Sequence, residues 1–137
     1  EIAKLVPDAH FVWIGGGELD HLLTATNIEL TGWKPRHEAL AMGKGADVFI
    51  LCSLGEAIAM SLIENMYMGK LILESVIQNG KNGFICNTAQ DYATRIKEAM
   101  TAFPKSLPQQ AYNDVMTIYN THEMRRKYIE FYNSICK

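Results

Sequence analysis

The stretch "ADVFILCS", residues 46–53, narrows the fold more than any other part of the chain. Val48, Phe49, Ile50 and Leu51 are apolar at successive positions, not at alternate ones. A strand that alternates has one wet face, whereas one that is apolar on both faces needs cover on both. That is the pattern of a parallel sheet with helices on either side. The neighbouring segments fit it. "AHFVWIG" predicts a buried strand over about Ala9 to Ile14, "NIELTG" a second and "KLIL" another. "NGKNGFICN" predicts a strand among Asn-Gly-type turn signals. Helices are expected between them. One has leucines at 19, 22 and 23; another is "RHEALAMGKG" after Pro35; a third begins near Ala59 or Met60. "DYATRIKEAMTAF" reads as amphipathic, with Tyr92, Ile96, Met100 and Phe103 on one face. Asn87 or Thr88 can cap it, with Asp91 in its first turn. After "PKSLP" the tail, about residues 110–137, reads as two helices, the second capped by Thr121. Strands alternating with helices define an α/β domain with a mostly parallel sheet.

Size and charge then exclude several functions. At 137 residues the chain is expected to be one domain. It begins on what reads as the last turn of a helix, so it is expected to be a piece of something longer, incomplete at its N-terminus. Hydrophobic residues make up 48% and charged residues 20%, which is a globular and not a disordered balance. The formal net charge of −2 argues against a nucleic-acid surface, which needs a clustered basic face. The densest basic cluster, "MRRKY", reads as a solvated helix face. Cys52, Cys86 and Cys136 are odd in number and in no metal-ligand spacing, so they read as reduced thiols of a cytoplasmic protein. His10, His21, His37 and His122 are scattered, and no metal site is expected.

In open parallel sheets, ligands bind beyond the carboxyl ends of the strands. The segments there are "GGGE", "GWKPR" and "SLGEAIAMS". The first is not a dinucleotide fingerprint, because Asp20 stands where the third glycine would be; the glycines by themselves mark a sharp turn. The third is more informative. A loop over residues 53–58 leads into a helix whose N-terminus exposes amides and partial positive charge, suited to phosphate. Ser61 adds a hydroxyl there. Glu64, a turn further in, can accept from vicinal hydroxyls such as those of a ribose. Glu56 can accept from sugar hydroxyls. Each acid read alone is equally a solvated surface residue.

The order of motifs resembles the C-terminal domain of the group 1 glycosyltransferases, retaining enzymes of GT-B fold. "ADVFILCSLGEAIAMSLIENMYMGK" carries Glu, seven residues, Glu after a buried strand. "PDAHFVWIGGGEL", "NIELTGW" and "ESVIQNGKNGFIC" resemble the family's flanking segments in the right order, over roughly Pro7 to Met100. The resemblance implies a Rossmann-like sheet with helices on both faces, forming half of a two-domain enzyme. That half binds a nucleoside diphosphate sugar, as substrate and without cofactor or metal, in polysaccharide or glycoconjugate synthesis. It assigns the donor sugar to Glu56, Ala57 and Ile58, and the ribose to Glu64. It assigns phosphate to the amides of Met60, Ser61 and Leu62 with Gly15, Gly16 and Gly17, and the base to Trp33, Lys34, Pro35 and Arg36. Trp33 also reads as a hydrophobic plug. The partner it implies is an N-terminal acceptor-binding domain, which holds the acceptor site. The implied location is cytoplasmic, with peripheral attachment of the full-length enzyme to the inner membrane left open.

Three departures stand against the pattern. Ala57 replaces a glycine after the first Glu. The Arg and Lys that the family places on the first strand and helix of this domain have no counterpart. "GKLIL" runs straight into "ESVIQNG", without the family's loop between Leu73 and Glu74. A break in the chain at that join is one expectation, loss of the loop the other. A non-catalytic nucleotide-binding module and a GT-B nucleotide-sugar epimerase remain as alternative functions.

Overall fold

The computed structural model describes residues 1–52, 59–74 and 77–136. A single helical turn, α1 (Ile2–Leu5), leads into strand β1 (Phe11–Trp13). Strand β2 (Ile28–Leu30) pairs parallel to it, Phe11 opposite Ile28 and Trp13 opposite Leu30. Helix α2 (Arg36–Gly45) precedes strand β3 (Val48–Ile50), and helix α3 (Met60–Tyr67) precedes strand β4 (Leu71–Glu74). Strand β5 (Phe84–Ile85) closes a second parallel sheet in the order β3-β4-β5. Helices α4 (Ala89–Thr101), α5 (Ser106–Thr117) and α6 (Thr121–Ile135) complete the chain.

The expectation of an α/β fold with a parallel sheet covered on both faces holds. Val48 and Ile50 pack on one core with Leu71, Leu73, Tyr92 and Ile96. Phe49 and Leu51, pointing the other way, pack on a second core with Leu62, Met66, Ile72 and Val115. Period-two alternation sends successive residues to opposite faces, so an all-apolar strand feeds both cores. β4 is the centre: Leu71, Ile72 and Leu73 have no exposed surface. The strand continues through the Leu73–Glu74 join, with Leu73 paired to Ile50 and Phe84 and Glu74 to Ile85.

Several local expectations need correction. The leucines at 19, 22 and 23 form only a 3-10 turn, Asp20–Leu22, with Leu19 and Leu22 exposed. With two of the three side chains in solvent, spacing alone does not sustain a helix. On α4 the buried face is Tyr92, Ala93, Ile96 and Ala99, while Met100 and Phe103 are exposed. The buried four share one core with Leu71 and Leu73, and Met100 and Phe103 stand outside it. The α6 cap is Asn120, not Thr121: its side chain accepts from the Glu123 amide at 2.9 Å. The α4 cap is Thr88, in a reciprocal capping box with Asp91. α5 starts at Ser106, so "PKSLP" is partly helical, its Pro108 lying in the first turn where a missing N–H costs nothing.

Candidate functional site

Within each sheet the strands run parallel, so β1 and β2 release their loops on the same side of theirs. The first loop is built by glycine. Gly15 adopts φ +128, a conformation open to glycine, and its amide donates to the Gly32 carbonyl at 3.1 Å. That bridge ties the loop after β1 to the loop after β2. Asp20, which spoils the dinucleotide pattern, closes the turn locally, its carboxylate accepting from the Gly17 amide at 3.0 Å. A Cβ at Gly16 would stand 3.3 Å from Asp20 Oδ2. The three glycines thus make a closed turn on the rim.

Trp33, in the second loop, is 80% exposed. It plugs nothing, and that expectation is withdrawn; an indole presented to solvent beside the rim is a surface available for stacking. Lys34 lines a shallow hollow with Glu29, Thr31, Glu38, Ala41 and Met42, against β2 and α2. Pro35, at φ −54 and ψ 147, turns the chain into α2. Arg36 opens that helix and its guanidinium meets the Glu64 carboxylate. The structure therefore brings together a residue assigned to the base and the one assigned to the ribose, from α2 and α3.

Helix α3 begins where the sequence placed it. Met60 and Ser61 are exposed at its start. Leu62 is buried, and its amide donates to the Ala59 carbonyl at 3.1 Å, so of the three amides expected to face phosphate this one is already engaged inside the helix. Asn65 is buried and donates to the Ser61 carbonyl at 2.8 Å. Gly43 of α2 passes close by: a Cβ there would lie 3.3 Å from Met68 Cε and 3.4 Å from Asn65 Oδ1. The near approach of α2 and α3 at Gly43 is what puts Arg36 within reach of Glu64. Glu56, Ala57 and Ile58 lie outside the described residues.

Beneath the rim, the end of β3 is pinned by a residue that sequence reasoning treated only as packing. Tyr92 is buried, and its hydroxyl donates to the Leu51 carbonyl at 3.0 Å. Desolvation is the main cause that pushes its phenol well above the ordinary range, with nearby Cys52 adding to it. Cys52 is an exposed residue, yet partial desolvation still pushes its thiol up. Cys86, buried, is pushed up to about 11, again chiefly by desolvation. These thiols stay protonated at neutral pH and are poor nucleophiles. The sequence signal for Tyr92 was available: a tyrosine on a buried helix face needs a partner for its hydroxyl. Among the described residues no group of three or more His, Cys, Asp or Glu could hold a metal ion. No helix among them is long and apolar enough to cross a membrane.

A parallel α/β unit with its loops gathered on one rim is one of the two halves from which GT-B glycosyltransferases are built, and solved structures of that fold match it. The chain superposes on the C-terminal domain of LpcC, a glycosyl transferase group 1 family protein from Francisella tularensis, with TM-score 0.71 and 16% identity. That match covers 88% of this chain and 74% of that one. It superposes on Anabaena Alr3699/HepE, solved in complex with UDP, with TM-score 0.78 and 16% identity, over 97% of this chain and 43% of that one. The pneumococcal O-GlcNAc transferase GtfA, solved with UDP and GlcNAc, matches with TM-score 0.75 and 19% identity, over 98% and 31%. The chain belongs to the glycosyl transferases group 1, whose family model matches residues 1–102. A Salmonella typhimurium protein named "Putative colanic acid biosynthesis glycosyltransferase WcaL" is 36% identical over 86 residues, covering 52% of this chain and 21% of that protein. The chain thus spans about a fifth of that relative's length.

Proposed function

We propose that this chain is the donor-binding, C-terminal half of a retaining glycosyltransferase. In this reading the enzyme moves a hexose-type sugar from a nucleoside diphosphate to an acceptor hydroxyl, in polysaccharide or glycoconjugate synthesis. The observation that carries the reading is Glu64. It sits midway along α3, half-buried, and meets Arg36 from the start of α2. A carboxylate held there is an acceptor for the two ribose hydroxyls. This reading assigns the diphosphate to the amides of Met60 and Ser61 at the start of α3, with the turn of Gly15, Gly16 and Gly17. As the glycosidic bond breaks, that rim would stabilise the charge gathering on the leaving phosphate. Solved relatives that carry UDP share the fold.

The acceptor site belongs, on this reading, to an N-terminal domain outside this chain. The chain alone then binds donor weakly and does not turn over. The location in this reading is cytoplasmic, with peripheral attachment of the full-length enzyme to the inner membrane left open. A non-catalytic nucleotide-binding module is the second reading. What favours it lies in the sequence: Ala57 stands where the family has glycine, and no loop residues separate Leu73 from Glu74.

Calorimetric titration of the whole protein with UDP-, GDP- and ADP-sugars tests the assignment. Charge-assisted hydrogen bonds contribute about 1.5–3 kcal/mol each, so Glu64→Ala is expected to weaken the preferred donor by roughly tenfold or more. Failure of every donor to bind would reject the enzyme reading.

A further inference from the structure

Arg36 is placed against its local interest. It is the first residue of α2, where the partial positive charge of the helix end disfavours a cation. Its guanidinium leaves its own helix and reaches the Glu64 carboxylate of α3. Its neighbours on α2 are His37 and Glu38, whose Nε2 and Oε1 lie 3.9 Å apart. The Arg36 side chain is 75% exposed and that of Glu64 only 23%. The carboxylate is thus seated in the rim and the guanidinium closes over it from solvent. An ion pair with one partner so exposed adds little to stability, so its guanidinium is cheap to move. Arginine also presents five donors in a planar fork that fits phosphate oxygens.

We propose that Arg36 is a positioning residue that couples nucleoside to phosphate recognition. Without ligand it holds Glu64 oriented on the rim. When a ribose diol takes the carboxylate, the guanidinium transfers to the diphosphate of the same ligand. This rests on the reading of Glu64 as the ribose acceptor. Its consequence is a split that a merely structural arginine would not produce. The nucleoside must displace Arg36 from Glu64, whereas the nucleoside diphosphate displaces it and then recaptures it on its phosphates.

The test titrates the protein with UDP, GDP and ADP, and then with the nucleoside of whichever diphosphate binds tightest. Arg36→Met is expected to lower diphosphate affinity roughly tenfold or more, the scale of one charge-assisted contact, and nucleoside affinity by clearly less. Arg36→Lys, which keeps charge without the fork, is expected to recover part of the diphosphate affinity. An equal loss for nucleoside and diphosphate in Arg36→Met would overturn the transfer, and so would no change in either. No binding of any diphosphate to the unaltered protein would overturn the donor-binding reading itself, and the transfer with it.

Discussion

The two sheets of this chain are both parallel and both short, yet they are unlike in what covers them. In β3-β4-β5 the central strand has lost all contact with water, walled by α4 on one side and by α3 and α5 on the other. In β1-β2, Val12, Trp13 and Leu30 are exposed, Trp13 by 50%. Among the described residues of this region, Phe11, with Ala9 before it, packs on the core of Leu71 and Leu73. The two-stranded sheet is tied down by polar contacts more than by burial. The Asn27 side-chain amide donates to the carbonyls of Ala3, Val6 and Ala9 at 3.0, 3.0 and 2.9 Å, knotting α1 to the loop before β2. Stability should therefore reside in one sheet, while the other presents two of the three rim loops. A rigid support beneath Glu64 and a less buried one beneath Gly15–Gly17 and Trp33 suit a site in which one part positions and another adapts.

Substitutions can break this contrast. Leu73→Ala removes a fully buried side chain from β4 and is expected to cost about 2–5 kcal/mol in chemical denaturation. Leu30→Ala, in an equally apolar-looking strand, is expected to cost under about 1 kcal/mol. Equal costs would mean that the two sheets share one buried core after all. Next in size is Gly83→Ala. A Cβ there would meet the Ile72 carbonyl oxygen and Ile77 Cδ1, each at 2.5 Å. A backbone atom in the middle of β4 cannot step aside, so overpacking of about 1–3 kcal/mol is expected, read by the same denaturation. Alanine at Gly17, where a Cβ would meet nothing within 4 Å, should be nearly neutral by comparison.

The smallest effect is one of pH. Amides of Asn87 and Thr88 donate to the Asp91 carboxylate at 3.1 and 2.9 Å and are the main cause that holds it below its ordinary value of 3.8. A carboxylate depressed in the folded state adds stability that is complete above its unfolded value and is lost as pH falls through the folded one. Melting followed downward from pH 5 should show this loss in the unaltered protein and a shallower one in Asp91→Asn. Identical slopes would remove Asp91 from the acid response of α4.

Much of this architecture was legible because backbone preference and periodicity are local. The run Val48–Leu51 announced a doubly covered strand, "RHEALAMGKG" is α2 residue for residue, and Thr88 with Asp91 announced a capped helix start. The site was legible only as positions. That Glu64 follows a buried strand at the start of a helix could be read; that Arg36 would occupy it could not, because 28 residues separate them. Their meeting depends on Gly43 letting α2 approach α3. Trp33 misled for a related reason: a large apolar side chain looks like core until the absence of anything above it is known. Asn120 was overlooked beside Thr121 because both are good caps, and only the turn of the chain decides which side chain faces the Glu123 amide.

What the sequence determined by itself is the alternation of strand and helix, the parallel order, and a rim carrying acids and glycines at the sheet's carboxyl edge. These follow from steric preferences and from apolar residues that must leave water. Tertiary structure decided how unequally the strands are buried, which side chain pins the end of β3, and which cation sits on Glu64. Those depend on distances between elements far apart in the chain, set when helices settle on the sheet to the closeness that their smallest residues allow.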